Sequence, residues 1–304
     1  VGASGSGSTE RALDAPASAR AKTIAIASGK GGVGKTTLAV NLALALADAG
    51  TPTVLLDGDL GLANADLLLG VSAMRHLGHA LDGRADAADL LTPVVPGLHL
   101  VAGGSGLAHL ADLDAEQRHR LLGVVGEIET MARALVIDCG AGIGAGVLDL
   151  LGAADEALVV TSPEPTALAD AYGLIKSLSR RMHPGTGAAI SLVVNEAADA
   201  REALGVHARA AAVCHRFLML PLPLAGWVPA DPLVSRAVRA RTPLIRYASR
   251  SPASGAVVKL AQRLRDELGL VPERQVHRGG PGLVARLLRA FGSSSAAATS
   301  GAAR

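Results

Sequence analysis

Seven short apolar runs punctuate the chain, and stretches with helical spacing separate most of them. The runs cover residues 23–28, 53–57, 98–102, 134–138, 157–161, 190–195 and 222–228, and the helical patterns lie near 36–49, 115–132, 165–182, 197–213 and 253–268. A strand buried on both faces reads as an unbroken apolar run, and parallel neighbours need a crossover that a helix supplies. The alternation therefore predicts an α/β fold: one doubly wound, mostly parallel sheet flanked by helices, as a single domain over 22–270. Aromatic residues are only 2% of the chain while hydrophobic residues are 49%, so the core must be built from Ala, Val, Leu and Ile. Residues 1–21 read as a disordered leader, Gly- and Ser-rich at its start. Residues 271–304 read as a flexible tail, interrupted by a short amphipathic helix over 282–291.

Several function classes fall away. No apolar run reaches the ~20 residues that span a bilayer. The two cysteines, Cys139 and Cys214, are far apart in sequence and form no CxxC pair, which argues against a disulfide scaffold and for a reducing, cytoplasmic setting. A net charge of +2 argues neither for nor against a nucleic-acid partner.

The chemistry starts where the first apolar run ends. Residues 28–37 read SGKGGVGKTT, so Gly29, Gly34, Lys35 and Thr36 match the GxxxxGK[ST] phosphate loop between a strand and a helix. Gly29, Gly31, Gly32 and Gly34, with Val33 between the last two, let backbone N–H groups turn inward around phosphate oxygens, and the helix N-terminus adds positive potential. Lys35 is expected to reach the β- and γ-phosphates of ATP, Thr36 to bind Mg²⁺, and Thr37 to contact the α-phosphate. The chain has five lysines, Lys22, Lys30, Lys35, Lys176 and Lys259, and two of them fall inside this loop. Lys30 is the departure from a plain loop, because a second ammonium there sits beside phosphates that Lys35 already serves.

Two further runs end in carboxylates. Asp57 closes the second run, Asp59 follows it, and the two share one side of an alternating strand end. Close carboxylates repel unless a cation neutralises them, which suggests Mg²⁺ nearby. Asp138 closes the fourth run and precedes a glycine-containing loop, the pattern of a water-mediated Mg²⁺ ligand followed by a γ-phosphate sensor.

With KGGxGKT at 30–36, the sequence resembles the deviant Walker A ATPases of the MinD/ParA family. Within that family it looks most like the FlhG branch, MinD-like ATPases that control flagellar number and placement. The segments carrying this are 57–70 (DGDLGLANADLLLG), 138–143 (DCGAGI), 161–172 (TSPEPTALADAY) and 228–239 (VPADPLVSRAVR), in order from about residue 22 to 270. The resemblance implies an ATP-bound homodimer with nucleotide sandwiched between subunits and Lys30 reaching the partner's nucleotide. It further implies that Asp59 orients the attacking water, that Asp57 supports the metal's water shell, that Asn195 contacts adenine, and that Pro229 and Asp231 belong to a loop packed on the base. An FlhF-like GTPase or a flagellar basal-body component is the implied partner. Residues 9–20 do not match the DQ-containing motif with which such proteins activate FlhF, and Pro16 would interrupt a helix there.

The tail segment 282–291 places Leu283, Val284, Leu287, Leu288 and Phe291 on one helical face with Arg286 and Arg289 off it. Such a helix either lies in a bilayer interface, as the comparable helix of MinD and FlhG does, or packs on the ATPase core or a partner. The first reading expects reversible attachment to the inner face of the cell membrane. Three functions are therefore weighed: an FlhG-like or MinD-type spatial regulator; a ParA-type DNA or cargo positioner using Arg236, Arg239, Arg241, Arg246 and Arg250; and an iron–sulfur carrier, which the cysteine placement disfavours.

Overall fold

The computed structural model describes residues 20–58, 64–103, 114–182, 188–270 and 282–289. The chain opens with β1 (Lys22–Ser28), α1 (Lys35–Asp48) and β2 (Thr53–Gly58), followed by three short helices, α2 (Ala65–Leu69), α3 (Leu77–Leu81) and α4 (Ala87–Leu90). Then come β3 (Thr92–Val95), β4 (Leu98–Val101), α5 (Ala115–Thr130), β5 (Ala134–Ala141), α6 (Ala145–Ala153) and β6 (Glu156–Thr161). The second half holds α7 (Pro165–Arg181), β7 (Ala189–Ala197), α8 (Ala200–Leu218), β8 (Leu224–Pro229), α9 (Pro232–Arg239), α10 (Leu244–Tyr247) and α11 (Pro252–Glu267). A last helical segment, α12, covers 283–289.

The strands form one eight-stranded sheet in the order β3-β4-β2-β5-β1-β6-β7-β8. All pairs are parallel except β3 with β4, which are antiparallel. The seven apolar runs all become strands. The eighth, β3, went unread because Pro93 cannot donate to a ladder, and it is tolerated here on the sheet's edge.

Both faces of the sheet are covered, which is why the runs are apolar throughout. Along β1 the side chains alternate between two cores: Ala25 and Ala27 join one, Ile24 and Ile26 the other. The first core is closed by α5, α6, α7 and α8, the second by α1 and α11. Local signals set the helix starts. Asp199 accepts from the N–H of Glu202 to open α8, Asp231 from Leu233 to open α9, and Pro165 occupies the first turn of α7.

The amphipathic tail segment is part of the packed body over 282–289. Leu283 and Leu287 are fully buried in the first core, and Val284 packs against it. The Glu129 carboxylate on α5 accepts from the N–H of Leu283 at 2.6 Å, and Arg286 reaches both oxygens of Asp155 at 3.1 and 3.0 Å. Leu288, placed by spacing on the same apolar face, is 55% exposed, because the i, i+4 row of Leu283 and Leu287 forms the contact and Leu288 is turned ~100° from Leu287. In this structure Leu283, Val284 and Leu287 of the face expected at a bilayer therefore lie against protein. Residues 1–19, 271–281 and 290–304, Phe291 among them, lie outside the described residues. No helix among the described residues is long and apolar enough to cross a membrane.

Candidate functional site

The strand order places β1 between β5 and β6, so the chain diverges to both sides at the carboxyl end of β1. Open α/β sheets offer a crevice at such a point. The loop from Ser28 to Lys35 lies there, and its conformation depends on glycine at three of the four expected positions. Gly32 and Gly34 have φ of 83° and 81°, in the left-handed region. A Cβ on Gly29 would lie 2.1 Å from the Asp170 carbonyl, so the loop's first turn touches the backbone of α7 directly. Gly31 differs from the other three. It is exposed, its φ is not in the left-handed region, and a Cβ there would meet nothing within 4 Å. Packing among the described residues therefore does not demand glycine at 31. Gly34 is the N-cap of α1, which leaves the helix's first N–H groups facing the crevice.

Lys35 begins α1 and is buried, with Nζ 3.0 Å from Oδ1 of Asp138, itself fully buried. Asp57 and Asp138 are register partners on the adjacent parallel strands β2 and β5, with 2% and 0% exposure. Asp57 also accepts the N–H of Ala65 at 3.1 Å, which ties α2 to the strand end. Two buried carboxylates side by side, with one buried ammonium and the Thr36 hydroxyl in the same turn as Lys35, form an oxygen-rich donor set suited to a small hard cation. Asp59, expected to act on water, lies outside the described residues.

Lys30 takes a different position from Lys35. Its ammonium donates to Glu164 at 2.7 Å and to the Thr166 hydroxyl at 3.2 Å, at the N-terminus of α7. The hydrogen bond to Glu164 raises the lysine's pKa. Both side chains are substantially exposed, so the pair is readily exchanged for another anion. Glu164 is a site residue that the sequence reading assigned no role; its only signal was the PEPT segment around it.

The remaining expected residues meet in one cavity of about 630 Å³, lined by Gly34, Thr37, Asn195, Pro229 and Asp231 among others. That volume lies within the usual range for a small-ligand pocket. Asn195 donates Nδ2 to the Val33 carbonyl at 2.8 Å, pinning the phosphate loop from the end of β7. Asp231 caps α9 with one oxygen, while its buried Oδ2 has no partner among the described residues. An unmatched buried acceptor in a pocket fits a ligand that donates there. Asn41 was missed. It is a buried amide in an otherwise Ala/Leu-rich helix, donating to the Thr37 carbonyl at 2.7 Å and accepting from the N–H of Ile245 at 2.9 Å. The signal was present, since a polar residue on the buried side of such a helix must have partners.

A doubly wound sheet with a glycine loop, a buried lysine and paired carboxylates at its carboxyl edge defines a P-loop nucleotide-binding protein. Residues 24–244 match the family described as the CobQ/CobB/MinD/ParA nucleotide binding domain, and the chain belongs to that family. It is 39% identical over 243 residues to the antiactivator FleN of Pseudomonas aeruginosa, covering 80% of this chain and 86% of that protein. It is 34% identical over 249 residues to the flagellum site-determining protein YlxH of Helicobacter pylori, covering 81% and 83%. Among solved structures, the septum site-determining protein MinD of Pyrococcus horikoshii, complexed with Mg-ADP, superposes with a TM-score of 0.64 at 25% identity, covering 82% of this chain and 98% of that one.

Proposed function

We propose that this protein is a switch ATPase that binds MgATP, dimerises around it, and is reset by hydrolysis to ADP and phosphate. The observation carrying the proposal is the convergence of Lys35, Asp57 and Asp138 beneath a glycine loop whose far side opens into the cavity of Asn195 and Asp231. The N–H groups of the loop, that of Gly31 included, and the Lys35 ammonium would hold the phosphates. The open space around Gly31 leaves room for a phosphate or a second subunit to come close to its backbone. The base would lie against Pro229, between Asn195 and Asp231. Thr36, Asp57 and Asp138 would hold Mg²⁺, which when bound neutralises phosphate charge. Lys35 would exchange the Asp138 carboxylate for phosphate oxygens, and Asp59 would orient the attacking water.

Lys30 gives the switch its second subunit. In the single chain it is held by Glu164, and that exposed contact costs little to break. In an ATP-bound dimer it would turn to the partner's nucleotide, so the pair assembles only while the triphosphate is present. The names of a relative called an antiactivator, FleN, and of one called flagellum site-determining, YlxH, support a regulatory role in flagellar number or placement, with an FlhF-like GTPase or a basal-body component reading the dimer. Peripheral membrane attachment through 282–291 would require α12 to leave its seat, exposing Leu283 and Leu287 at about 1.5–3 kcal/mol each. Headgroup contacts and the paired tails of a dimer would have to supply that energy.

The test combines light scattering with phosphate release, in ATP and in ADP. The parent protein should be a dimer in ATP and a monomer in ADP. Asp59→Ala should dimerise in ATP but release phosphate at least ~100-fold more slowly, as expected for loss of a group that acts on the attacking water. Lys30→Ala should bind ATP as a monomer. ATP-independent oligomerisation, or full turnover by Asp59→Ala, would refute the switch. Vesicle sedimentation of the full chain and of a chain ending at Gln275 tests the membrane step.

A further inference from the structure

Beyond its first turn, α1 buries only Ala, Val and Leu, apart from Asn41. Asn41 is 2% exposed, and both ends of its amide are used. Nδ2 donates to the Thr37 carbonyl at 2.7 Å, one turn back in the same helix, which fixes the orientation of the amide. Oδ1 accepts the N–H of Ile245 at 2.9 Å, across 204 residues of chain.

That second bond completes α10. The first N–H groups of a helix find no acceptor within it. α10 is short, Leu244–Tyr247, and its N-cap residue, Pro243, makes no side-chain cap. Ile245 lies in the first turn and is buried, so its N–H needs a protein acceptor. Asn41 supplies from α1 the cap that Pro243 cannot. The bond also joins two walls of the nucleotide cavity. Gly34, Thr37 and Asn41 of α1 line one; Val234 and Ser235 of α9 and Leu244 of α10 line the other, with Asp231 at the head of α9. Leu244 and Ile245 are buried in the second core, but apolar contact is non-directional and leaves the helix free to slide. Arg246 of α10 also pairs with Asp48 of α1, at 2.8 and 2.6 Å. Both of those side chains are exposed, and such a pair contributes little. The buried amide is what can fix the spacing.

We propose that Asn41 is a positioning residue that holds the base-side wall of the cavity in register with the phosphate loop. The inference rests on the reading of this cavity as an ATP site. A nucleotide must meet the loop with its phosphates and the α9 side with its base at the same time. When the wall is already held at the right spacing, little of the binding energy goes into ordering it. A ligand made of phosphates alone reaches only the loop and is indifferent to the wall. Asn41 therefore controls the preference for a nucleotide over bare triphosphate, not phosphate binding itself.

Titration calorimetry of the full chain with MgATP and with magnesium tripolyphosphate gives two affinities and their ratio. Asn41→Ala and the nearly isosteric Asn41→Leu leave the Ile245 N–H without its acceptor. The ratio should fall at least ~10-fold, through ATP alone. Asn41→Asp keeps an acceptor for that N–H, and Arg246→Ala breaks only the exposed pair, so each should keep the ratio within about twofold. Hydrogen exchange gives a second reading without ligand: the amides of 244–247 should exchange at least ~10-fold faster in Asn41→Leu, with those of β1 unchanged. The proposal is overturned by a ratio unchanged in Asn41→Ala and Asn41→Leu, by an equal loss of both ligands, or by unchanged exchange at 244–247. A fall in Asn41→Asp as large as in Asn41→Ala, or one produced by Arg246→Ala alone, overturns it too. A parent chain that binds ATP no more tightly than tripolyphosphate removes the nucleotide reading itself, and this inference with it.

Discussion

Replacing Arg286 by alanine isolates what holds α12 against the body. Arg286 places two N–H groups on the Asp155 carboxylate at 3.1 and 3.0 Å and a third on the Ala153 carbonyl, with both partners of the ion pair under one-fifth exposed. Removing one partner of a fully buried pair costs about 3–5 kcal/mol, because the other charge is left stranded. Asp155 is not stranded here, since the Thr23 N–H at 2.9 Å and Lys22 at 3.4 Å remain. Burial pushes the Asp155 carboxyl up, but Arg286, the Thr23 N–H and Lys22 outweigh it and hold the carboxyl below its usual range. We therefore expect a loss near the lower end for charged hydrogen bonds, about 2 kcal/mol, or about 30-fold in the docking equilibrium. Leu283 and Leu287 still favour docking, so the segment should open more often without detaching. Hydrogen exchange by mass spectrometry reads this directly: the amides of 283–289 should exchange about 30-fold faster, with those of β1 and β5 unchanged. A rise below about threefold would show that the ion pair does not hold α12. An equal rise in the central strands would show that the cost is global and the local accounting wrong. The sign of the pH effect is also fixed. Asp155 has a depressed pKa, so its contribution is present above the ordinary carboxylate range and disappears as pH falls through its folded value.

Three further outcomes are expected. Burial raises the pKa of Glu129, so the folded chain binds more protons than the unfolded one between the usual value and the raised one, and stability falls as pH rises through that window. Glu129→Gln should remove this slope in thermal melts, while a drop in melting temperature at neutral pH would mean that its bonds to Leu283 and Arg20 outweigh its burial. Gly34→Ala forces a left-handed φ of 81° on a residue with a side chain, at about 1–2 kcal/mol, and sets Cβ 2.3 Å from Nδ2 of Asn195. Titration with a fluorescent ATP analogue should show at least ~10-fold weaker binding, and unchanged affinity would refute the fit of loop to Asn195. Lys35→Ala should abolish detectable binding in the same assay.

Much of this was legible locally. The phosphate loop is contiguous, and its glycines, lysine and threonine act through backbone geometry that ten residues can specify. Gly31 is the exception within it, since nothing among the described residues calls for glycine there. The seven apolar runs named their strands because burial on both faces leaves no polar position to obscure the pattern. β3 was illegible because four edge residues containing a proline make no periodic signal. The extent of α8 was underread, from 197–213 to the actual Ala200–Leu218, because the start depends on the Asp199 cap and the final turn keeps helical residues past the last buried position.

Contacts between distant segments were decided only by the tertiary structure. Asp57 and Asp138 are 81 residues apart, and only the pairing of β2 with β5 puts them in register. Lys30 meets Glu164 across 134 residues because α7 returns to touch Gly29. The spacing of 282–291 specifies an apolar face but not what covers it, since a bilayer and a protein groove satisfy the same periodicity. Glu129 and Asp155, whose roles depend on where α5 and β6 bring them, supply the polar contacts that hold 283–289 on the body in this structure. Short-range chemistry, fixed by neighbouring residues, is written in the sequence; the partners of exposed charges and apolar faces follow only from packing.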